Sequence, residues 1–196
     1  MVIGLTGKYC SGKSSIAEEF EKKGFYIIVV DKLGHAALKL KKAEIEKTFG
    51  SVVIKNGEVD RFSLGKIVFK SSKKKKQLEE IVHPVMVQEV EAILKKEQDN
   101  NTNILIDAAI LAHMGLHKYC DAAIWVAAPF FKRLSMALYR DNRGIFFAIR
   151  RMISQKKLKP NLTKKYVDTY IINNTGDISS LSGKVDNILK TINTRK

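Results

Sequence analysis

Residues Gly7-Lys8-Tyr9-Cys10-Ser11-Gly12-Lys13-Ser14 fit the pattern GxxxxGK[ST] at every fixed position. Each fixed position answers a physical need of a bound triphosphate. Gly7 and Gly12 let successive backbone N–H groups turn inward onto phosphate oxygens, at the positive end of the helix that follows. Lys13 reaches the β- and γ-phosphates, and the Ser14 hydroxyl is a ligand for Mg2+. The run from Gly7 to Ser15 is therefore the expected ATP cradle. The thiol of Cys10, beside that positive helix end, is expected to have a lowered pKa.

Two aspartates close apolar runs: Asp31 after Phe25–Val30, and Asp107 after Ile104–Ile106. In a doubly wound sheet the ligand sits beyond the carboxyl ends of the strands. Asp31 is expected to take the proton of an acceptor hydroxyl, and a helix N-cap is its structural alternative. Asp107 either holds a magnesium-bound water or caps its strand. The basic stretch Arg140–Lys165, headed by Arg140, supplies the cations of a lid that closes over the γ-phosphate and excludes water. Asn173-Asn174-Thr175-Gly176-Asp177 does not fit the guanine-reading NKxD pattern, which excludes a GTPase.

These residues need elements to position them. Val2–Thr6 is a buried strand and Ser14–Lys23 an amphipathic helix ended at Gly24, with Phe25–Val30 the next strand. Strand, glycine loop, helix, strand is the βαβ unit of a parallel sheet. From about 33 to 103 the pattern is mainly helical. Lys41–Phe49 and Lys73–Val82 are expected helices, Asn56–Gly57 marks a turn, and Pro84 is expected to end one helix before Val85–Glu97 starts another. Gln98–Asn103 reads as a loop. Strands resume at Ile104–Ile106, Ala122–Val126 and Tyr170–Ile172, with a helix over Phe130–Tyr139. A last helix carries Leu181, Val185, Ile188, Leu189 and Ile192 on one stripe.

A chain of 196 residues with 45% hydrophobic and 28% charged residues is long enough for one α/β core, and that mixture excludes wholesale disorder. The net charge of +15 favours polyanionic partners. The Lys73–Lys76 run reads as a solvated helix face. Neither zinc-ligand spacing nor an aromatic-studded RNA-binding strand accompanies it, so nucleic acid is not the expected partner. Cys10 and Cys120 are too few for a disulfide framework. No apolar run approaches the ~20 residues that span a bilayer. The start MVIGLTG lacks the pattern of a signal peptide, so the cytoplasm is the expected compartment and no membrane association is expected.

The order of these pieces resembles the dephospho-CoA kinase family over essentially the full chain. The family's loop usually reads GGIGSGKS, and GKYCSGKS keeps its first glycine and SGKS. The family's DAD-x-x-AR segment is similar to Val29-Val30-Asp31-Lys32-Leu33-Gly34-His35, where the second aspartate is Asp31. Its His-Pro step matches His83-Pro84, and its D-x-P-L-L-x-E stretch matches Asp107 to His113. Ala128-Pro129, Arg133-Leu134, Arg140-Asp141, Arg151 with Gln155, and Asn174 to Asp177 follow in the family's order. Lys8 and Cys10 stand where the family has glycines, Val29 and His113 where it has acids, and Ala109 where it has proline.

The resemblance implies a P-loop nucleoside-triphosphate hydrolase-like fold, a three-layer α/β/α parallel sheet with a helical insertion and a lid. It implies a core of residues 1–32 and 104–196, an insertion of about 33–103 on the coenzyme A side, and a lid of about 140–165. It also implies ATP-dependent, Mg2+-assisted phosphorylation of the ribose 3′-hydroxyl of dephospho-CoA. Lys13, Asp31 and Arg140 would be catalytic, Asn174 would join the ATP site, and His35, His83, Pro84, Asp31 and Asp107 would lie on the substrate side. A monomer or weak oligomer is expected. Two alternatives remain open: another small P-loop kinase of a metabolite or nucleotide, and a nucleotide-dependent nucleic-acid-binding protein.

Overall fold

A computed structural model describes residues 1–141, 144–176 and 179–194 of the chain. Asp177, singled out above, lies outside the described residues, as does a short piece of the expected lid. The chain divides into two compact units, Met1–Val29 with Glu97–Lys196, and Val30–Lys96.

The first unit is built on β1 (Val2–Gly7), whose six residues are all buried. An unbroken apolar strand belongs in the middle of a parallel sheet covered on both faces, and that is its place. Helix α1 (Lys13–Lys22) and strand β2 (Tyr26–Val29) follow, then β5 (Ile104–Asp107), β6 (Ala122–Ala127) and β7 (Thr169–Asn173). The order across the sheet is β2-β5-β1-β6-β7, and every pairing is parallel. Helices α6 (Phe130–Asp141), α7 (Ile145–Ser154), α8 (Asn161–Lys164) and α9 (Ser179–Asn193) complete this unit among the described residues. Its core joins Ile3 and Leu5 of β1, Ile16 and Phe20 of α1, Ile124 of β6 and Val185 of α9. The expected α/β/α P-loop architecture is therefore present. The expected basic segment 140–165 holds the end of α6, all of α7 and all of α8.

The second unit contains α2 (Val30–Leu40), α3 (Lys42–Phe49), the hairpin β3 (Ile54–Lys55) and β4 (Glu58–Val59), α4 (Arg61–Val68) and most of α5 (Ser72–Asp99). Asn56 and Gly57 both have positive φ, 52° and 76°, which makes the expected turn a tight two-residue hairpin. Asp60 caps α4 by accepting from the amides of Phe62 and Ser63.

Three expectations change. Strand β2 ends at Val29 rather than Val30, and Asp31 lies in the first turn of α2, where its charge suits the positive helix end. Pro84 does not end a helix: α5 runs through it for 28 residues, and past residue 98 to Asp99. Proline removes one hydrogen bond and crowds the preceding turn, at about 3 kcal/mol. Buried Val82, Met86, Val90 and Leu94, spaced four apart, carry one apolar stripe straight past it, and that packing offsets the loss. Within α5, Lys75 and Lys76 pair with Glu79 and Glu80 at 3.3 and 3.7 Å, the i,i+4 pattern of a solvated face.

Candidate active site

The turn from β1 into α1 is the phosphate loop. Ser11 N donates to the Lys8 carbonyl at 3.1 Å, folding the loop on itself. Gly12 is the N-cap of α1 with φ 91°, a left-handed conformation, and a Cβ there would lie 2.1 Å from Asn174 Nδ2. Only glycine fits. A Cβ on Gly7 would lie 2.7 Å from the Val126 carbonyl oxygen. Cys10 sits at φ 55°, a left-handed position that costs a residue with a side chain about 1 kcal/mol. The thiol is buried, and burial pushes its pKa up, with the Arg140 charge as the main opposing influence. The lowered thiol pKa expected from the helix end does not occur, because desolvation outweighs the nearby positive charge.

Lys13 opens α1, and its Nζ lies 3.3 Å from Asp107 Oδ1 at the end of β5. Strands β1 and β5 are adjacent in parallel register, Leu5 opposite Asp107, which brings the loop lysine and the strand-end carboxylate together. Ser14 is exposed on the first turn of α1 and Ser15 is half-buried beside it. Asn174 is buried just beyond β7. Its side chain donates to the Ser11 carbonyl at 3.0 Å and accepts from Lys132 Nζ at 3.0 Å. It braces the outer wall of the loop.

The loop also grips the end of α6, helix α7 and Gln155. The Tyr9 amide donates to Gln155 Oε1 and its phenol donates to Asp141 Oδ2. The guanidinium carbons of Arg140 and Arg151 lie 5.1 and 4.9 Å from the Tyr9 ring centroid, within cation–π range. Cys10 packs with Ala137 of α6 and with Ala148 and Met152 of α7. Arg140 Nε donates to Asp141 Oδ1 at 2.8 Å, which holds the Asp141 carboxyl below its usual range. Burial, followed by the hydrogen bond to Asp141, pushes the Tyr9 phenol up to about 12. Arg140, Arg151 and Gln155, far apart in sequence from the loop, thus converge on one loop residue. Loop spacing alone places Tyr9 in the cradle and does not reveal this role.

The other expected site residues belong to the second unit. Asp31 and His35 are exposed on α2. His35 lines a cavity of about 410 Å3 with Lys39, Lys42 and Arg61. His83 is half-buried and Pro84 exposed on α5. Among the described residues no three His, Cys, Asp or Glu side chains converge on a common point, and no helix is long and apolar enough to cross a membrane.

A family model described as dephospho-CoA kinase matches residues 1–180. The chain is 32% identical over 199 residues to the dephospho-CoA kinase of Fusobacterium nucleatum, covering 98% of each. It is 41% identical over 130 residues to that of Borreliella burgdorferi, covering 65% of this chain and 62% of the relative. The crystal structure of TT1252 from Thermus thermophilus superposes with a TM-score of 0.76 at 25% identity, covering 97% of both chains.

Proposed function

The chain belongs to the dephospho-CoA kinase family, and from that premise we propose that it transfers the γ-phosphate of ATP to the ribose 3′-hydroxyl of dephospho-CoA, giving CoA and ADP. The observation that carries the reading is the phosphate loop opening α1, with Lys13 drawn to Asp107 at 3.3 Å. A buried carboxylate beside the loop holds the lysine at the mouth of the phosphate cradle, and the phosphates of ATP take over as its counter-charge on binding.

Each residue has a stated part in the transfer. Loop amides and Lys13 bind the β- and γ-phosphates, and Lys13 with Arg140 offsets the charge on the transferring group. Asp31 accepts the proton of the acceptor hydroxyl as the O–P bond forms and the bond to the ADP oxygen breaks. The α6–α7 segment gripped by Tyr9 keeps water from the γ-phosphate. Ser14 and Asp107 are oxygen donors, the ligand type that Mg2+ prefers. With no three-residue cluster among the described residues, they would hold the ion together with nucleotide phosphates and water. Mg2+, when bound, would supply charge neutralisation to the transferring phosphoryl group. His35, His83 and Pro84 belong to the acceptor side, and ATP and dephospho-CoA meet as co-substrates in a cytoplasmic monomer or weak oligomer.

The deciding experiment measures ADP release from Mg·ATP with dephospho-CoA, shikimate and a panel of nucleosides and nucleotides as acceptors. Dephospho-CoA is expected to be phosphorylated at the 3′ position with the highest kcat/KM. A better acceptor elsewhere in the panel would make the chain another small-molecule kinase on the same fold.

A further inference from the structure

Beside the phosphate loop, on the β6 side, lies a second cavity of about 300 Å3. Of the loop residues Gly7–Ser14 only Lys8 lines it; Lys13 and Ser14 do not. Its charged lining residues are Lys8, Arg133 and Lys159, and no acid lines it. Three cations around one cavity repel each other unless an anion sits among them. Arg133 is 7% exposed, and its Nε is buried without a hydrogen-bond partner. A buried donor with no acceptor is costly, and a guanidinium edge is shaped to meet two oxygens of one phosphate or carboxylate.

Two further features favour an anion there. The cavity is lined by Ala128 and Phe130 at the start of α6, whose first turn carries no acid. The positive end of that helix is therefore not neutralised from its own sequence. Burial lowers the Lys8 pKa, and the charges of Arg133 and Lys159 lower it further. The remaining walls are apolar, with Trp125, Val126, Leu158 and Pro160 among them. An occupant with a compact charged group and an apolar body fits this division.

We propose that this cavity binds a phosphate group of a small molecule other than ATP, while ATP occupies the phosphate loop. Because Lys8 belongs to both the loop and the cavity wall, occupancy of the cavity bears directly on the conformation of the loop. The phosphate comes either from a separate metabolite or from the acceptor itself.

The test is isothermal titration of inorganic phosphate into the full chain saturated with Mg2+ and a non-hydrolysable ATP analogue, which fills the loop. Saturable binding is expected, weakened about tenfold or more in Lys8→Gln and in Arg133→Gln. Lys8 is half-exposed, so Lys8→Gln decides the matter even where Arg133→Gln fails to fold. Absence of binding to the nucleotide-saturated protein overturns the proposal, as does unchanged affinity in Lys8→Gln. A second arm adds dephospho-CoA. Lost phosphate binding assigns the site to the acceptor's own phosphate, and retained binding assigns it to a separate phosphorylated molecule. The kinase assay reads the transfer reaction independently, so failure of one reading is distinguishable from failure of the other.

Discussion

The Tyr9 phenol donates to the Asp141 carboxylate, tying the third residue of the phosphate loop to the last residue of α6. The same carboxylate accepts from Arg140, whose guanidinium also lies over the Tyr9 ring. The loop and the end of α6 therefore share one small network of an aromatic ring, an acid and an arginine. Where Arg140 points is tied to Tyr9 of the loop.

Tyr9→Phe keeps the ring and removes the hydroxyl. A hydrogen bond to a charged group contributes about 1.5–3 kcal/mol, so a loss near the lower figure is expected in urea denaturation at pH 8. The Tyr9 phenol is raised to about 12 in the folded chain, from an ordinary value near 10. The stability tied to that raised value is complete below pH 10 and is lost as pH climbs toward 12. The gap between wild type and Tyr9→Phe should therefore hold up to about pH 10 and shrink between pH 10 and 12. A constant gap would mean that the hydroxyl is not bonded as described.

Lys13→Ala removes the cation proposed to bind the β- and γ-phosphates. Turnover should fall ~10²-fold or more, the scale for losing one group that stabilises transition-state charge. The 3.3 Å ion pair between Lys13 and Asp107 is lost as well, so the urea midpoint should fall. Steady-state kinetics and urea midpoints check the two effects separately. Near-normal turnover would rule out this loop as the catalytic one.

Asp31→Asn separates proton acceptance from helix support. Turnover is expected to drop ~10²-fold or more. Loss of a carboxylate from the first turn of α2 should cost only about 0.3–1 kcal/mol. ATP affinity, read by titration of an analogue, should hold. Wild-type turnover in this variant would leave Asp31 a helix-start charge and nothing more.

Burial raises both thiols, Cys120 to about 12 and Cys10 in the same direction. Both are then protonated at neutral pH, and the thiolate is the form that reacts. Iodoacetamide at pH 7.5 should label the native chain far more slowly than a free thiol, with both sites labelled at once in urea. Peptide mass spectrometry reads each site. Rapid native labelling of Cys10 would show an open loop.

The phosphate loop, the parallel core and the stripes of α1 and α9 were legible in the sequence because they rest on local spacing and apolar runs. The path of α5 was not. Proline is a strong local breaker, and only tertiary burial of Val82, Met86, Val90 and Leu94 overrides it. Asp31 was placed one step out of register, since an apolar run of Phe25–Val30 does not reveal that Val30 already belongs to a helix. The contacts of Tyr9 with Asp141, Arg151 and Gln155 bridge more than 130 residues, and no local pattern encodes them. The three cations around the cavity beside β6 were individually visible, but only folding brings positions 8, 133 and 159 together.

The position of β1 has a consequence for how the chain is made. Val2–Gly7 leaves the ribosome before either of its partners, Ile104–Asp107 on one side and Ala122–Val126 on the other. Translation at about 5–20 residues per second leaves Val2–Gly7 waiting roughly 5–20 s for β5 and longer for β6. During that interval an apolar strand with both edges open is a template for pairing with another nascent copy. The long loop closures that finally pair it also make folding slow for a chain of this size. Aggregation during expression should therefore trace to β1 and ease when a chaperone covers it.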